Sequence, residues 1–241
     1  MTTLFVSDLH LEAERPDIGK QFLLFLDTDA KEADDLYILG NLFEAWVGDD
    51  DPNTHYFAIK RALRKLDDAG ISVYFMHGDR DFMVGSGFTN ETGVEILKDP
   101  YKVSMYGQKA LLSHGDILCT DDIKYQKVRT MVRDPDWQAK MRAKPLKERL
   151  RIAEEARRHS LEQTLNQSLQ IVDVNQDAVE TMIREYNVDV LVHGHTHRPG
   201  IHTIDLGNRK AKRIVLGDWF LKGSVVRWDS RGPRLEELPR P

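Results

Sequence analysis

Five apolar runs in this chain each lead to a group that can bind a proton or a metal. "TTLFVSD" (2 to 8) leads to Asp8 and His10, and "DDLYILG" (34 to 40) leads to Asn41. "ISVYFMHG" (71 to 78) leads to Asp79, Arg80 and Asp81, "QKALLSHG" (108 to 115) to His114 and Asp116, and "VDVLVHG" (188 to 194) to His193, His195 and His197. Two further runs, "KRIVLGDW" (212 to 219) and "GSVVRW" (223 to 228), share the same character. Their length and β-branched content predict buried strands. Helical patterns over Ile18 to Ala30, His55 to Ala69 and Ala178 to Tyr186 lie between several of them. That alternation predicts an α/β fold with a layered β-sheet core flanked by helices. Ligands of such sheets bind beyond the carboxyl ends of the strands, so the five polar strand ends are expected to converge on one site.

The chain of 241 residues, 41% apolar and 30% charged, is long enough for one sizeable core. A single domain over 1 to 241 is expected. Its one cysteine, Cys119, cannot pair within the chain, which points to a reducing compartment. Nothing basic and apolar at the N-terminus resembles an export signal, and no stretch approaches the roughly 20 apolar residues that cross a bilayer. The formal charge of -5 argues against a general nucleic-acid binder. That average hides an asymmetry: from Lys124 to Arg158 twelve lysines and arginines stand against five aspartates and glutamates.

The same region departs from the strand and helix alternation. From about 121 to 169 the pattern is one long helical stretch broken near Pro135 and Pro145. It is too long for an ordinary connection and predicts a helical insertion, a candidate lid over one end of the sheet.

Taken singly, each strand-end residue has an ordinary structural explanation. An aspartate after a strand forms turns or caps helices, and a lone histidine is most often satisfied in the core. Agreement at five strand ends favours a site instead. In "HGHTH" (193 to 197) the imidazoles stand two residues apart, which in an extended chain puts them on one side. Mixed imidazole, carboxylate and amide donors suit Mn²⁺, Fe²⁺ or Zn²⁺ better than Ca²⁺ or Mg²⁺. Cys119 has no basic or imidazole neighbour in sequence and reads as structural.

"SDLHL", "GNLFE", "GDRD", "SHGD" and "HGHTH" resemble, in order and spacing, the five motif blocks of the calcineurin-like metallophosphoesterases. More narrowly, "LEAERPDI", "FEAWVGDD", "RDF", "HGDILCTDD", "HGHTHRP" and "RIVLGDW" resemble the pyrophosphohydrolases that act on UDP-2,3-diacylglucosamine in lipid A synthesis. The resemblance spans the chain and implies a site for two divalent ions, Mn²⁺ being expected. It assigns Asp8, His10 and His197 to one ion, His114 and His195 to the other, position 41 as a bridge and position 79 to the second ion. In the family the bridge is an aspartate and the second-ion ligand an asparagine, so Asn41 and Asp79 are interchanged here. A neutral amide bridges two cations poorly, because its oxygen carries only a partial charge and its nitrogen is not a useful ligand. The exchange is therefore expected to impair catalysis.

The resemblance also implies a mechanism, a substrate and a location. Two ions lower the pKa of a bound water and polarise the phosphoryl group, giving UMP and 2,3-diacylglucosamine 1-phosphate. Arg80 is expected to clamp the pyrophosphate through its planar fork of donors. Substrate contacts carry over to Asp79, Arg80, Asp122, Tyr125, Arg157, Ser160, Thr164 and His195, and to Gln167, which departs from the expected lysine. In the insertion, Val128, Met131, Val132, Trp137, Met141, Leu146, Leu150 and Ile152 are expected to close over acyl chains, while lysines and arginines meet an anionic membrane surface. A peripheral place on the cytoplasmic face of the bacterial inner membrane follows. Two other readings stay open at this point: a hydrolase of another nucleotide or phosphodiester, and an inactive lipid-binding homologue.

Overall fold

The computed structural model describes residues 1–166 and 173–240. Eleven strands form two sheets among the described residues. The first sheet contains β1 (Thr3–Val6), β2 (Asp35–Ile38), β3 (Ser72–Met76), β4 (Glu95–Leu97), β10 (Gly223–Asp229) and β11 (Gly232–Leu238), in the order β11-β10-β1-β2-β3-β4. The second contains β5 (Tyr101–Met105), β6 (Gln108–Ser113), β7 (Val190–His193), β8 (Gly200–Asp205) and β9 (Lys210–Val215), in the order β5-β6-β7-β9-β8. β1 to β4 run parallel, as do β6, β7 and β9, while the outer strands β11, β5 and β8 are antiparallel to their neighbours.

Period-two alternation along the strands sorts the side chains into layers. Phe5, Tyr37 and Met76 of the first sheet meet Leu112, Val190, Val192 and Ile214 of the second, closing a core between the sheets with Trp228 fully buried in it. Leu4, Val6, Leu36 and Val73 point the other way, toward α1 (Pro16–Asp27) and α2 (Phe57–Asp68). α1 buries Ile18, Phe22, Phe25 and Leu26, the spacing of one helix face, and begins with Pro16 in its first turn and Asp17 near the positive helix end. It stops at Asp27, short of Ala30 where the sequence pattern ends it, and Ala30 opens a separate 3₁₀ turn, Ala30–Glu32. A short α3 (Ser86–Thr92) buries Phe88 in the same layer.

Between β6 and β7 lie α4 (Ile123–Val132), α5 (Pro135–Arg142), α6 (Leu146–Asn166) and α7 (Gln176–Tyr186). The breaks before α5 and α6 fall at Pro135 and Pro145, as expected of a residue that lacks an N–H and tolerates only the first helical turn. Asp122 and Asp134 cap α4 and α5 by accepting the backbone N–H of Tyr125 and Trp137, each at 2.9 Å. α7 packs Val179 and Ile183 onto Leu111, Leu191 and Ala211, on the outer face of the second sheet.

Arginines fasten α4 and α6 to the strand-end loops. Arg129 Nε donates to the buried Asp116 at 2.9 Å, and Arg133 donates to the carbonyls of His77 and Gly78 at 3.1 and 3.0 Å. Arg149, itself buried, donates to Val47 O at 2.7 Å and pairs with Asp50. These are charge-assisted bonds in shielded places, the kind that hold geometry.

Candidate metal centre

The carboxyl ends of β1, β2, β3, β6 and β7 meet at one edge of the two sheets, and the loops leaving them turn sharply. Asp8, His10, Asn41, His195 and His197 all have φ between 50° and 66°, the left-handed region that non-glycine residues rarely occupy. Such conformations cost on the order of 1–3 kcal/mol each and persist only where the surroundings dictate them. Here the dictating contacts are backbone bonds between loops: Asp8 N–H to Gly40 O at 3.1 Å, His10 N–H to Asn41 O at 2.9 Å and Leu11 N–H to Leu42 O at 3.0 Å. Two glycines make room for the ligand groups. A Cβ on Gly194 would lie 2.2 Å from Asp8 Oδ2, and one on Gly78 would lie 2.1 Å from Asn41 Oδ1.

Asp81 braces the second loop from beneath. Its fully buried carboxylate accepts the N–H groups of Gly78 at 2.8 Å, Leu42 at 2.7 Å, and Asn41 and Phe43 at 3.3 Å. The loop that carries Asn41 is thereby tied to the loop that carries Asp79 and Arg80.

Two groups of three candidate ligands result. In one, donor atoms of Asp8, His10 and His197 all lie within 4.8 Å of one another, and in the other those of Asp79, His114 and His195 do. Imidazoles and a carboxylate at that mutual spacing fit a divalent transition-metal ion in each group. His10 and His197 approach through Nε2 at 3.3 Å, with Asp8 Oδ1 3.9 and 3.5 Å from them. Asp79 Oδ1 lies 3.3 Å from His114 Nε2 and 3.7 Å from His195 Nδ1. The structure brings together six of the seven residues proposed as ligands, as imidazoles and carboxylates around two centres.

The seventh, Asn41, joins the groups differently. Its Nδ2 donates to Asp79 at 2.8 Å and to Asp8 at 3.3 Å, while its Oδ1 accepts the backbone N–H of Arg80 at 3.1 Å. The amide hydrogens, and not the oxygen, face the space between the two groups.

The metal-free electrostatics match this packing of opposite charges. Burial works against the charge on Asp8 and Asp79, yet the surrounding imidazoles hold both carboxyls well below the usual range. Burial likewise opposes the charge on His114, and the contact with Asp79, helped by Asp116 and Asp8, outweighs it and raises the imidazole to about 9. His195 is also raised despite burial, first by Asp79 and then by the nearby Cys119. Cys119 is thus buried beside an imidazole that its local sequence did not reveal.

Three of the imidazoles are oriented from behind. His114 Nδ1 donates to Leu39 O at 2.9 Å, His10 Nδ1 lies 2.6 Å from Glu44 Oε2, and His197 Nδ1 lies 3.4 Å from Asp218. His193 does not join them. The chain after β7 is not extended, because His195 and His197 take positive φ, so His193 is left fully buried with Nδ1 against Gly194 O. Burial pushes that imidazole down to about 3.

Beside the centre lies a cavity of about 360 Å³, whose wall includes Asp79, Arg80 and Tyr125. Val128, Met131, Val132, Trp137, Met141 and Ile152 line it from α4, α5 and α6. Leu146 and Leu150 do not, and Leu150 is exposed. Arg80 Nε lies 3.7 Å from Asp79 Oδ2, and the ring of Tyr125 packs 5.7 Å from that of His195 while its hydroxyl donates to Asp116 at 2.9 Å. Arg157 pairs with Glu12 and Glu44. Ser160 and Thr164 lie on α6, with side chains outside the described set, and Gln167 lies outside the described residues.

The family model described as calcineurin-like phosphoesterase matches residues 1–199. The chain belongs to the calcineurin-like phosphoesterases. Among curated relatives within that family, a protein named UDP-2,3-diacylglucosamine hydrolase from Stenotrophomonas maltophilia (strain K279a) is 46% identical over 247 residues, covering 100% of both chains. One of the same name from Xanthomonas oryzae pv. oryzae (strain PXO99A) is 49% identical over 245 residues, covering 99% of both. The likeness to these phosphoesterases therefore includes the inserted helices as well as the strand-end motifs. Sequence reasoning named Asp81 only as one of the strand-end polar groups and passed over Glu44 and Asp218, although "FEAW" and "LGDW" contain them. The signal available was a carboxylate near each ligand loop, which does not say which ligand it faces.

Proposed function

We propose that this protein hydrolyses the pyrophosphate bond of UDP-2,3-diacylglucosamine, releasing UMP and 2,3-diacylglucosamine 1-phosphate. The observation that carries the reading is the junction of two three-ligand groups with an apolar cavity through Asp79 and Arg80. A phosphate-cutting centre and a place for hydrocarbon then share a wall, which suits an acylated sugar nucleotide. The full-length relatives named for that substrate support it.

Asp8, His10 and His197 would hold one divalent ion, and Asp79, His114 and His195 the other, with Mn²⁺ as our choice of metal. When bound, such ions supply charge to a phosphoryl oxygen and lower the pKa of water at the site. Arg80 orients the pyrophosphate with a planar fork of donors, and its neighbour Asp79 keeps that fork turned toward the centre. The leaving group is a phosphate ester whose second pKa is about 6, so it can depart without a proton from a protein acid. Trp137, Phe82 and the cavity residues of α4 to α6 act as a lid that takes acyl chains and keeps bulk water away. Asp122, Tyr125, Arg157, Ser160, Thr164 and Gln167 complete the substrate contacts in this reading.

The same helices meet the cytoplasmic face of the inner membrane. No helix among the described residues is long and apolar enough to cross a membrane, whereas Ile123, Val128, Met131 and Leu150 are exposed on a strongly basic segment. Binding to anionic vesicles above neutral ones, weakened by salt, is expected; equal sedimentation with both would remove the membrane part of the reading. The reaction itself is tested by UMP release in Mn²⁺ from UDP-2,3-diacylglucosamine and from UDP-glucose. Release from the acylated substrate alone is the expected result, and cleavage of both at equal rates would contradict it.

A further inference from the structure

His10 faces the cation-holding group with one nitrogen and a carboxylate with the other. A carboxylate accepts hydrogen bonds and cannot donate them when ionised, so Glu44 Oε2 at 2.6 Å from Nδ1 fixes the N–H on that side. Nε2, the other ring nitrogen, then faces Asp8 and His197. The other oxygen of Glu44, Oε1, lies 2.8 Å from Arg157 Nε, and Arg157 Nη2 lies 2.9 Å from Glu12 Oε2. Glu12 and Glu44 stand on adjoining loops, joined by the Leu11 and Phe43 bridge and by Glu44 N–H to Leu11 O at 3.1 Å. Imidazole, carboxylate and guanidinium thus run in an unbroken line from the centre to α6.

The line ends on a helix with two attachments of different kinds. Two turns before Arg157, Arg149 is only 2% exposed and is locked to Val47 and Asp50. The side chain of Arg157 is 43% exposed, so it is the contact that can be made and broken while Arg149 holds.

We infer that Glu44 is a positioning residue coupling the inserted helices to the metal centre, so that cation binding at Asp8, His10 and His197 and the seating of α6 through Arg157 favour each other. A cation on Nε2 makes Nδ1–H a stronger donor, which draws Glu44 toward His10 and keeps its charge available to Arg157. Because binding linkage is reciprocal, a seated Arg157 must raise cation affinity by the factor that the cation raises seating. The inference rests on the metal-holding part of the proposed function and needs nothing of the substrate assignment.

The test uses Mn²⁺ alone with the full chain. Free Mn²⁺ is counted by electron paramagnetic resonance, and amide hydrogen exchange is followed in residues 150–158 with and without the ion. In the parent, Mn²⁺ is expected to slow exchange in that segment. Glu44→Gln is expected to weaken Mn²⁺ binding by roughly 10–100-fold, the usual cost of losing the partner of a ligating histidine. At saturating Mn²⁺ it should also abolish the slowing. Arg157→Gln, a change at a part-exposed side chain outside both ligand groups, is expected to weaken binding by a smaller factor and to abolish the slowing as well. A purely structural role would alter exchange equally with and without Mn²⁺. Unchanged Mn²⁺ affinity in Arg157→Gln, or Mn²⁺-dependent slowing that survives it, overturns the inference whatever Glu44→Gln does. If either happens while the parent protein releases UMP, the coupling fails and the proposed function stands; coupling in a parent protein that releases no UMP gives the reverse.

Discussion

Asn41 donates its side-chain Nδ2 to Asp79 Oδ1 at 2.8 Å. The same nitrogen reaches Asp8 Oδ1 at 3.3 Å, and Arg80 N–H occupies the amide oxygen. Where the family resemblance places a bridging carboxylate, this protein has an amide that spans the two ligand groups with its hydrogens. Turning the amide over to present oxygen would break the Arg80 bond and set that oxygen against two carboxylates. Relative to that resemblance the carboxylate stands at position 79 instead, within the group formed with His114 and His195.

Asn41→Asp alone should make the protein lean on metal for stability. It replaces two donated hydrogen bonds by contacts between carboxylates, which in the metal-free protein costs on the order of 1–3 kcal/mol. The raised imidazoles of His114, His195 and His197 soften the repulsion, so about 1 kcal/mol is expected, a fall of roughly 2–4 °C in melting temperature. Added Mn²⁺ should raise the variant's melting temperature more than the parent's. Thermal melts with and without the ion check this, and an equal rise in both proteins counts against it.

Acid should compete with metal. His114 is raised to about 9, so at pH 7 the metal-free protein carries a proton that a cation must displace. Mn²⁺ affinity should climb as pH rises from 6.5 toward 9, by up to about tenfold per unit for one displaced proton. The metal-free fold moves oppositely. A folded pKa above the unfolded value gives a contribution that is complete below about 6.5 and fades as pH rises through 9. Mn²⁺ titrations and metal-free melts across that window should show opposite slopes; a flat affinity profile would exclude His114 as the displaced group.

Much of this arrangement was legible in the chain, and the exceptions share a cause. β1, β2, β3, β6 and β7 are covered on both faces, which writes continuous apolar runs such as "TLFV" and "VLVH". β5, β8 and β11 lie at sheet edges with mixed exposure, and "YKVSM", "GIHTID" and "GPRLEEL" carry no comparable signal. The candidate ligands Asp8, His10, Asp79, His114, His195 and His197 follow the strand ends, and that order is readable in the chain. The pairing of Glu44 with Arg157 crosses from one loop to an inserted helix, and no periodicity encodes it. An extended chain would group His193 with its neighbours, and the positive φ of His195 and His197 sets it apart.

The apolar cavity should matter for acylated substrate and not for metal. Trp137 packs 6.0 Å from Phe82 in its wall. Trp137→Ala is expected to raise KM for UDP-2,3-diacylglucosamine by roughly tenfold, about 1.4 kcal/mol of lost binding, while Mn²⁺ affinity stays within twofold. Steady-state kinetics alongside Mn²⁺ titration separate the two effects. A fall in metal affinity with unchanged KM would mean that the cavity serves the centre and not the acyl chains.

Whether the displaced charge matters is decided by reversing it. The Asn41→Asp, Asp79→Asn double variant keeps the same number of carboxylates and moves one from the second group to the bridge between both. UMP release from UDP-2,3-diacylglucosamine, measured at saturating Mn²⁺ and substrate, should rise at least roughly tenfold over the parent, about 1.4 kcal/mol of transition-state stabilisation. Equal turnover in the two proteins would contradict the account, since it would mean that a carboxylate at position 79 does the work of one at position 41.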